Sequence, residues 1–100
     1  MILPIKLLDV AEIEASEAID WYENEEFGLG TKFRKSIEAA ISSIQKHSVA
    51  FPVVHGSHVR NAQVRKFPFT IFFTIRADRI LVYSIFHHSR NPIIWRRRFE

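Results

Sequence analysis

Residues 66–98, KFPFTIFFTIRADRILVYSIFHHSRNPIIWRRR, decide how this chain folds. Phe69, Ile71, Phe73 and Ile75 alternate with Thr70, Phe72, Thr74 and Arg76. After the polar turn Ala77-Asp78-Arg79, Ile80, Val82, Ser84 and Phe86 alternate with Leu81, Tyr83, Ile85 and His87. Successive side chains leave a strand on opposite faces, so a period of two in aromatic and β-branched stretches predicts strands. A short polar turn between them makes an antiparallel hairpin. The second run empties into His87, His88, Arg90 and Trp95. The hairpin therefore carries imidazoles, a guanidinium and an indole to one place, fit for chemistry or for gripping a polyanion.

Upstream, Val59 to Phe67 reads as a further strand with poor alternation, which makes a three-stranded antiparallel meander. Ser48 to Gly56, with Pro52 inside it, reads as a loop. Before the loop, Phe33, Ile37, Ala40, Ile41 and Ile44 recur at spacings of three and four, the stripe of an amphipathic helix running to about His47. Thr31 is its expected cap. Gly28-Leu29-Gly30 separates it from an earlier helix, Val10 to about Glu26, in which Ala11, Ala15, Ala18 and Tyr22 share one side. Asp9 followed by Glu12 resembles a capping box. Glu12, Glu14, Glu17, Asp20 and Glu23 read as a solvated acidic surface. Ile2 to Leu8 contains Pro4, so it reads as an edge strand or one that starts late.

The expected fold is thus α+β and one domain over residues 1–100: a strand, an antiparallel two-helix hairpin, then the three-stranded meander. The helices would cover one face of the sheet. The opposite face, basic and aromatic, would stay partly open and hold the site.

Composition narrows the function. With 47% hydrophobic and 25% charged residues the chain is an ordinary globular one. Cysteine is absent, which removes disulfides, thiolate metal sites and a cysteine nucleophile, and fits a reducing cytoplasm. MILPIKLL is too short and too soon followed by acids for a signal peptide, and no apolar stretch reaches bilayer length. The net charge of +3 is unevenly spread. Residues 1–50 hold five Lys/Arg against nine Asp/Glu, a net of −4; residues 51–100 hold nine against two, a net of +7. One basic face for an anionic partner, most simply nucleic acid, is one reading. Neutralisation of one element by another is the other. His55-Gly-Ser-His58 lacks a neighbouring carboxylate or thiolate, so no metal is expected there, and no cofactor motif is present.

Several stretches resemble the RelE/ParE superfamily of toxins from type II toxin–antitoxin modules. AEIEASEAIDWYENEE, the break GLG and KFRKSIEAAISSI look like its helical hairpin. VRNAQVRKFPFTIFFTI resembles its second and third strands. VYSIFHHSRNPIIWRRR is similar to the plasmid-stabilisation branch, in which a strand runs into H-x-x-R-x-P-x-x-W. The resemblance implies a small bacterial toxin neutralised by a cognate antitoxin protein. It leaves open whether the target is messenger RNA on the ribosome, DNA gyrase without enzymatic action, or neither. It implies that Arg65 and Lys66 stand for strand-two bases and that Arg90 and Trp95 match a C-terminal pair. Thr70 replaces an arginine of RelE itself, and the paired histidines resemble ribonucleolytic relatives that use histidine.

Metal-free RNA cleavage needs a base for the 2′-hydroxyl proton, cations on the phosphate and an acid for the leaving oxygen. His87 or His88 suits the proton roles, since imidazole titrates near neutrality. Adjacent on a strand, the two face opposite ways, and the sequence leaves open which one faces the site. Arg65 and Arg90 complete the expected catalytic set. Arg60, Lys66 and the basic run Arg96, Arg97 and Arg98 are expected to contact nucleic acid, and Trp95 to stack on a base.

Overall fold

The computed structural model describes residues 2–100. A short strand, β1 (Ile5–Leu7), leads into α1 (Asp9–Glu25) and α2 (Leu29–His47). A single 3-10 turn follows at Ser48–Ala50. Then come β2 (Val53–His55), β3 (Val59–Gln63), β4 (Phe69–Ile75) and β5 (Ile80–His87). The chain closes with α3 (Ile93–Arg96) and a 3-10 turn at Arg97–Phe99. The five strands form one sheet in the order β1-β5-β4-β3-β2. β2 to β5 run antiparallel as a meander, and β1 joins the β5 edge in parallel.

β1 starts directly after Pro4, whose carbonyl accepts the Ile80 N–H at 2.9 Å. Proline can accept at a sheet edge but cannot donate, so the strand begins one residue later. The meander has a fourth strand where a loop is expected. Val53 pairs with Arg60 and His55 with Val59, across a bulge. Three residues after a proline are too few to show alternation, which is why β2 is invisible in the sequence.

The α1 and α2 hairpin covers one face. Phe33, Ile37, Ile44 and Ala11 pack there on Ile71, Phe73, Ile80, Val82 and Ile85. The other face is not left open. A second cluster, Val59, Phe72, Phe86 and Trp95 with Phe99 against it, places the C-terminal segment over it. β4 is therefore covered on both sides, as its unbroken FTIFFTI run requires.

β5 carries a bulge. Phe72 pairs with Ser84 but Phe73 with Val82, so Tyr83 is the extra residue. A bulge reverses the phase of everything beyond it. Ile80 and Val82 face the helices, and after the bulge Ile85 does, while Phe86 turns to the outer cluster. Strict alternation would have put Phe86 with Val82.

Helix ends also differ from expectation. α1 has Leu8 as its cap and Asp9 as its first helical residue, with no side-chain capping bond. At the start of α2 the Glu23 carboxylate, not Thr31, accepts the Gly28 and Gly30 N–H groups, both at 3.0 Å. An anion from the preceding helix satisfies two orphan donors and meets the positive end of the helix dipole. Gly28, at φ 86°, makes the left-handed turn that allows this. Gly30 is needed for a different reason. A Cβ there would stand 2.6 Å from the Ile19 carbonyl oxygen and 2.9 Å from the Glu23 Cβ. Since a backbone oxygen yields only if α1 moves, Gly30→Ala is expected to cost about 1–3 kcal/mol, read as a lower urea midpoint with unchanged slope.

Candidate functional site

The C-terminal ends of β3 and β5 and the start of β4 lie at one end of the sheet. Gln63 pairs with Thr70, and Phe69 with His87. The Val64 N–H reaches the Phe69 carbonyl and the His88 N–H the Pro68 carbonyl, each at 2.9 Å. Sheet pairing therefore brings Gln63, Arg65, Lys66, Thr70, His87, His88 and Arg90 onto one rim, although the sequence separates the first from the last by a whole hairpin.

The rim has two faces. On the outer face, His88 is exposed and its Nε2 lies 2.8 Å from the Thr70 hydroxyl. That hydroxyl also bonds the Gln63 side-chain oxygen at 3.0 Å. Arg90 lies at the border of the two faces: it is 4.6 Å from the Phe86 ring centroid, a cation–π contact, and it also lines the groove along α1 with His87. Arg65 and Lys66 occupy the turn between β3 and β4, both exposed and without an ion pair among the described residues. Lys66 holds φ 70°, the left-handed region that a branched or bulky residue rarely adopts.

On the helix side, His87 packs edge-on against Phe69 at 5.0 Å. It helps line a recess of about 180 Å³ with Ala18, Trp21, Tyr22 and Phe69. Its Nδ1 faces the Ser89 backbone N–H at 3.0 Å and the Ser89 hydroxyl at 2.8 Å, so Ser89 occupies that ring nitrogen. Burial raises the Tyr22 phenol above its ordinary range. A wider groove of about 500 Å³ continues along α1 past Val10, Ile13 and Trp21.

One residue that sequence reasoning placed on the solvated surface joins these elements. Glu14 of α1 pairs with Arg90 at 2.7 Å and with Arg98 at 2.9 Å. It also accepts from the Ile85 N–H at 3.0 Å and the Ser84 hydroxyl at 3.2 Å. β1 pairs only as far as Val82, so the β5 edge beyond it has no strand beside it. The carboxylate fills that place. A signal existed: Glu14 follows Ala11 by three and precedes Ala18 by four, which puts it on the packed stripe of α1. Gln63 was also missed, and Thr70 stood out only as a departure from RelE.

Three expected contacts with nucleic acid lie elsewhere. Trp95 is buried, stacked on Phe72 with centroids 3.8 Å apart and planes 15° apart, so it is not free to stack on a base. Arg60 pairs with Phe73 on the helix-facing side, and its guanidinium donates to the Val49 and Phe51 carbonyls. It buttresses the loop before β2, away from the histidines. Arg98 is tied to Glu14, the Tyr83 carbonyl and the Ser84 hydroxyl rather than trailing in solvent. Arg96, over the Trp95 ring at 5.5 Å, and Arg97 remain exposed. His55 packs edge-on against Trp95, and His58 Nδ1 lies 3.1 Å from the Ser57 hydroxyl. Among the described residues no three His, Asp or Glu side chains are grouped to hold a metal, and no helix is long and apolar enough to cross a membrane.

A helical hairpin thus covers one face of the sheet, the C-terminal segment covers the other, and the basic, histidine-bearing strand end forms one rim between them. The chain shares its fold with solved chains of two other proteins. A solved chain of the chromosomal ParDE TA system from P. aeruginosa superposes with a TM-score of 0.73 and 17% identity, over 86% of this chain and 96% of that one. The YoeB dimer from Staphylococcus aureus gives a chain with a TM-score of 0.59 and 14% identity, over 89% of this chain and 100% of that one. No family model and no curated protein matches the sequence.

Proposed function

We propose that this chain is the toxin of a type II toxin–antitoxin pair and cleaves messenger RNA on the ribosome without a metal. The observation that carries the reading is the rim itself: two histidines and the cations of Arg65, Lys66 and Arg90 at one solvent-reachable sheet end. An imidazole there takes the proton of a 2′-hydroxyl. The 2′-oxygen then bonds to phosphorus in line with the departing 5′-oxygen. A protonated group returns a proton to that oxygen, leaving a cyclic phosphate and a 5′-hydroxyl. Arginine side chains suit the phosphate because the planar fork meets two oxygens at once. A cognate antitoxin with an apolar and acidic segment would neutralise the basic half of the molecule, in the bacterial cytoplasm.

Induced expression followed by mapping of RNA 5′ ends tests this. New 5′-hydroxyl ends in translated messages are expected. Arg90→Ala and the His87→Ala/His88→Ala pair should each lower cleavage by about 100-fold or more. Cleavage indifferent to all of these removes the reading.

A second reading, non-enzymatic inhibition of DNA gyrase, draws on Thr70 in place of the strand arginine and on Arg90 being already engaged by Glu14. Intact messages during growth arrest, with gyrase-linked DNA breaks, would favour it. Full supercoiling activity at saturating toxin would exclude it.

A further inference from the structure

The geometry points to Thr70, backed by Gln63, as a positioning residue that makes His88, and not His87, the proton carrier of the rim. Its use in catalysis rests on the ribonuclease reading; its geometry does not. A threonine hydroxyl has one proton to give and two lone pairs. The Thr70 proton goes to the Gln63 side-chain oxygen at 3.0 Å. The contact of 2.8 Å to His88 must then run the other way, with Nε2–H donating and Thr70 accepting. Thr70 is buried, at 6% exposure, so water does not compete for its lone pairs.

The consequence concerns proton cycling. Neutral His88 carries its proton on Nε2 and shows a bare Nδ1 lone pair to solvent. Cationic His88 keeps the same Nε2–H bond and gains a proton on Nδ1. The ring can therefore take a proton from a 2′-hydroxyl and pass it on without turning. His87 is built differently. Its Nδ1 is taken by the Ser89 N–H at 3.0 Å and the Ser89 hydroxyl at 2.8 Å, so it is not bare for a substrate proton. Its ring also lines the small recess with Trp21 and Phe69 and the wider groove that Glu14 and Arg90 share. Two adjacent histidines are thus unequal: one shows an unpartnered ring nitrogen, and the other has that nitrogen taken by Ser89. If the Gln63 amide were reversed, Thr70 would donate to His88 and the free proton would sit on Nδ1, a base with no exposed lone pair.

The chain of residues 1–100 labelled with ¹⁵N at histidine, at a pH where histidine is neutral, decides between these. Long-range ¹H–¹⁵N correlation is expected to place the His88 proton on Nε2, with exchange slowed at least about ten-fold relative to Thr70→Val, because the bond shields it. Thr70→Ser keeps the hydroxyl and should keep the slow proton. Unchanged backbone amide spectra of both variants, outside the rim, show that they fold. In RNA cleavage, Thr70→Val should lose about ten- to hundred-fold and Thr70→Ser should recover most of it, since a misdirected ring forfeits orientation. A neutral His88 with its proton on Nδ1, or a Thr70→Val protein that cleaves as wild type, overturns the assignment. Wild-type protein that cleaves nothing sinks the ribonuclease reading alone, while the tautomer measurement still decides the role of Thr70.

Discussion

Trp95→Ala should lower the folding free energy by about 3–5 kcal/mol, the range for deleting a buried aromatic ring. The indole is 7% exposed and stacks on Phe72, with His55 edge-on to it and Phe99 at its side. It is the residue that closes the outer cluster of Val59, Phe72 and Phe86. Removing it strips the cover from the central strand β4 and frees the closing turn at Arg97–Phe99. Arg98 sits in that turn and is the second cation on Glu14, so the variant should also weaken the Glu14 ion pair. Chemical denaturation gives the energy, and amide exchange at Phe72 and Phe86 shows whether the loss is local or global. Trp95→Phe should recover roughly half of the loss, because a smaller ring keeps part of the stack. If Trp95→Ala kept full stability but lost RNA affinity, the indole would be a base platform after all.

The parts of this molecule legible in its sequence are those set by local period. The hairpin of β4 and β5 and the α2 stripe follow from spacing alone, because burial on one face imposes that spacing. What was not legible depends on partners far along the chain. The covered outer face follows from Trp95 reaching Phe72, which no local pattern announces. A bulge at Tyr83 needs the pairing of β4 to be seen. β2 is a strand only because β3 lies beside it. The site shows the same division. His87, His88, Arg90, Arg65 and Lys66 were readable as residue types near strand ends. Their ordering by Thr70, Gln63 and Glu14 was not, since those contacts span 7 to 84 residues. Arg60 and Arg98 looked like free phosphate ligands, because a sequence shows a charge without showing what already holds it.

Glu14 provides the second large effect. Its side chain is 9% exposed and serves two guanidiniums, of which Arg98 is 18% exposed and Arg90 40%. A carboxylate removed from such a site leaves at least one arginine partly buried without a counter-charge. Glu14→Ala also leaves the Ile85 N–H at the open β5 edge without its acceptor. The expected cost is about 2–4 kcal/mol, below the value for fully buried pairs because Arg90 can turn to water. Glu14→Gln separates the two contributions: it keeps an oxygen for Ile85 but removes the charge. It should cost about half as much as Glu14→Ala if hydrogen bond and charge contribute alike. Function should move the opposite way from stability. With its carboxylate partner gone, Arg90 is free for phosphate, so Glu14→Gln should bind a polyanion such as single-stranded RNA more tightly. The salt dependence should steepen by about one phosphate contact, a slope change near 0.7 for single strands. Denaturation midpoints and binding at two or more salt concentrations test both halves in one variant. Lower stability with unchanged binding would mean that Arg90 stays docked on Phe86 without Glu14. Unchanged stability would place the cluster among exposed ion pairs that contribute little. Arg98→Met, combined with Glu14→Gln in a double-mutant cycle, then apportions the coupling between the two arginines.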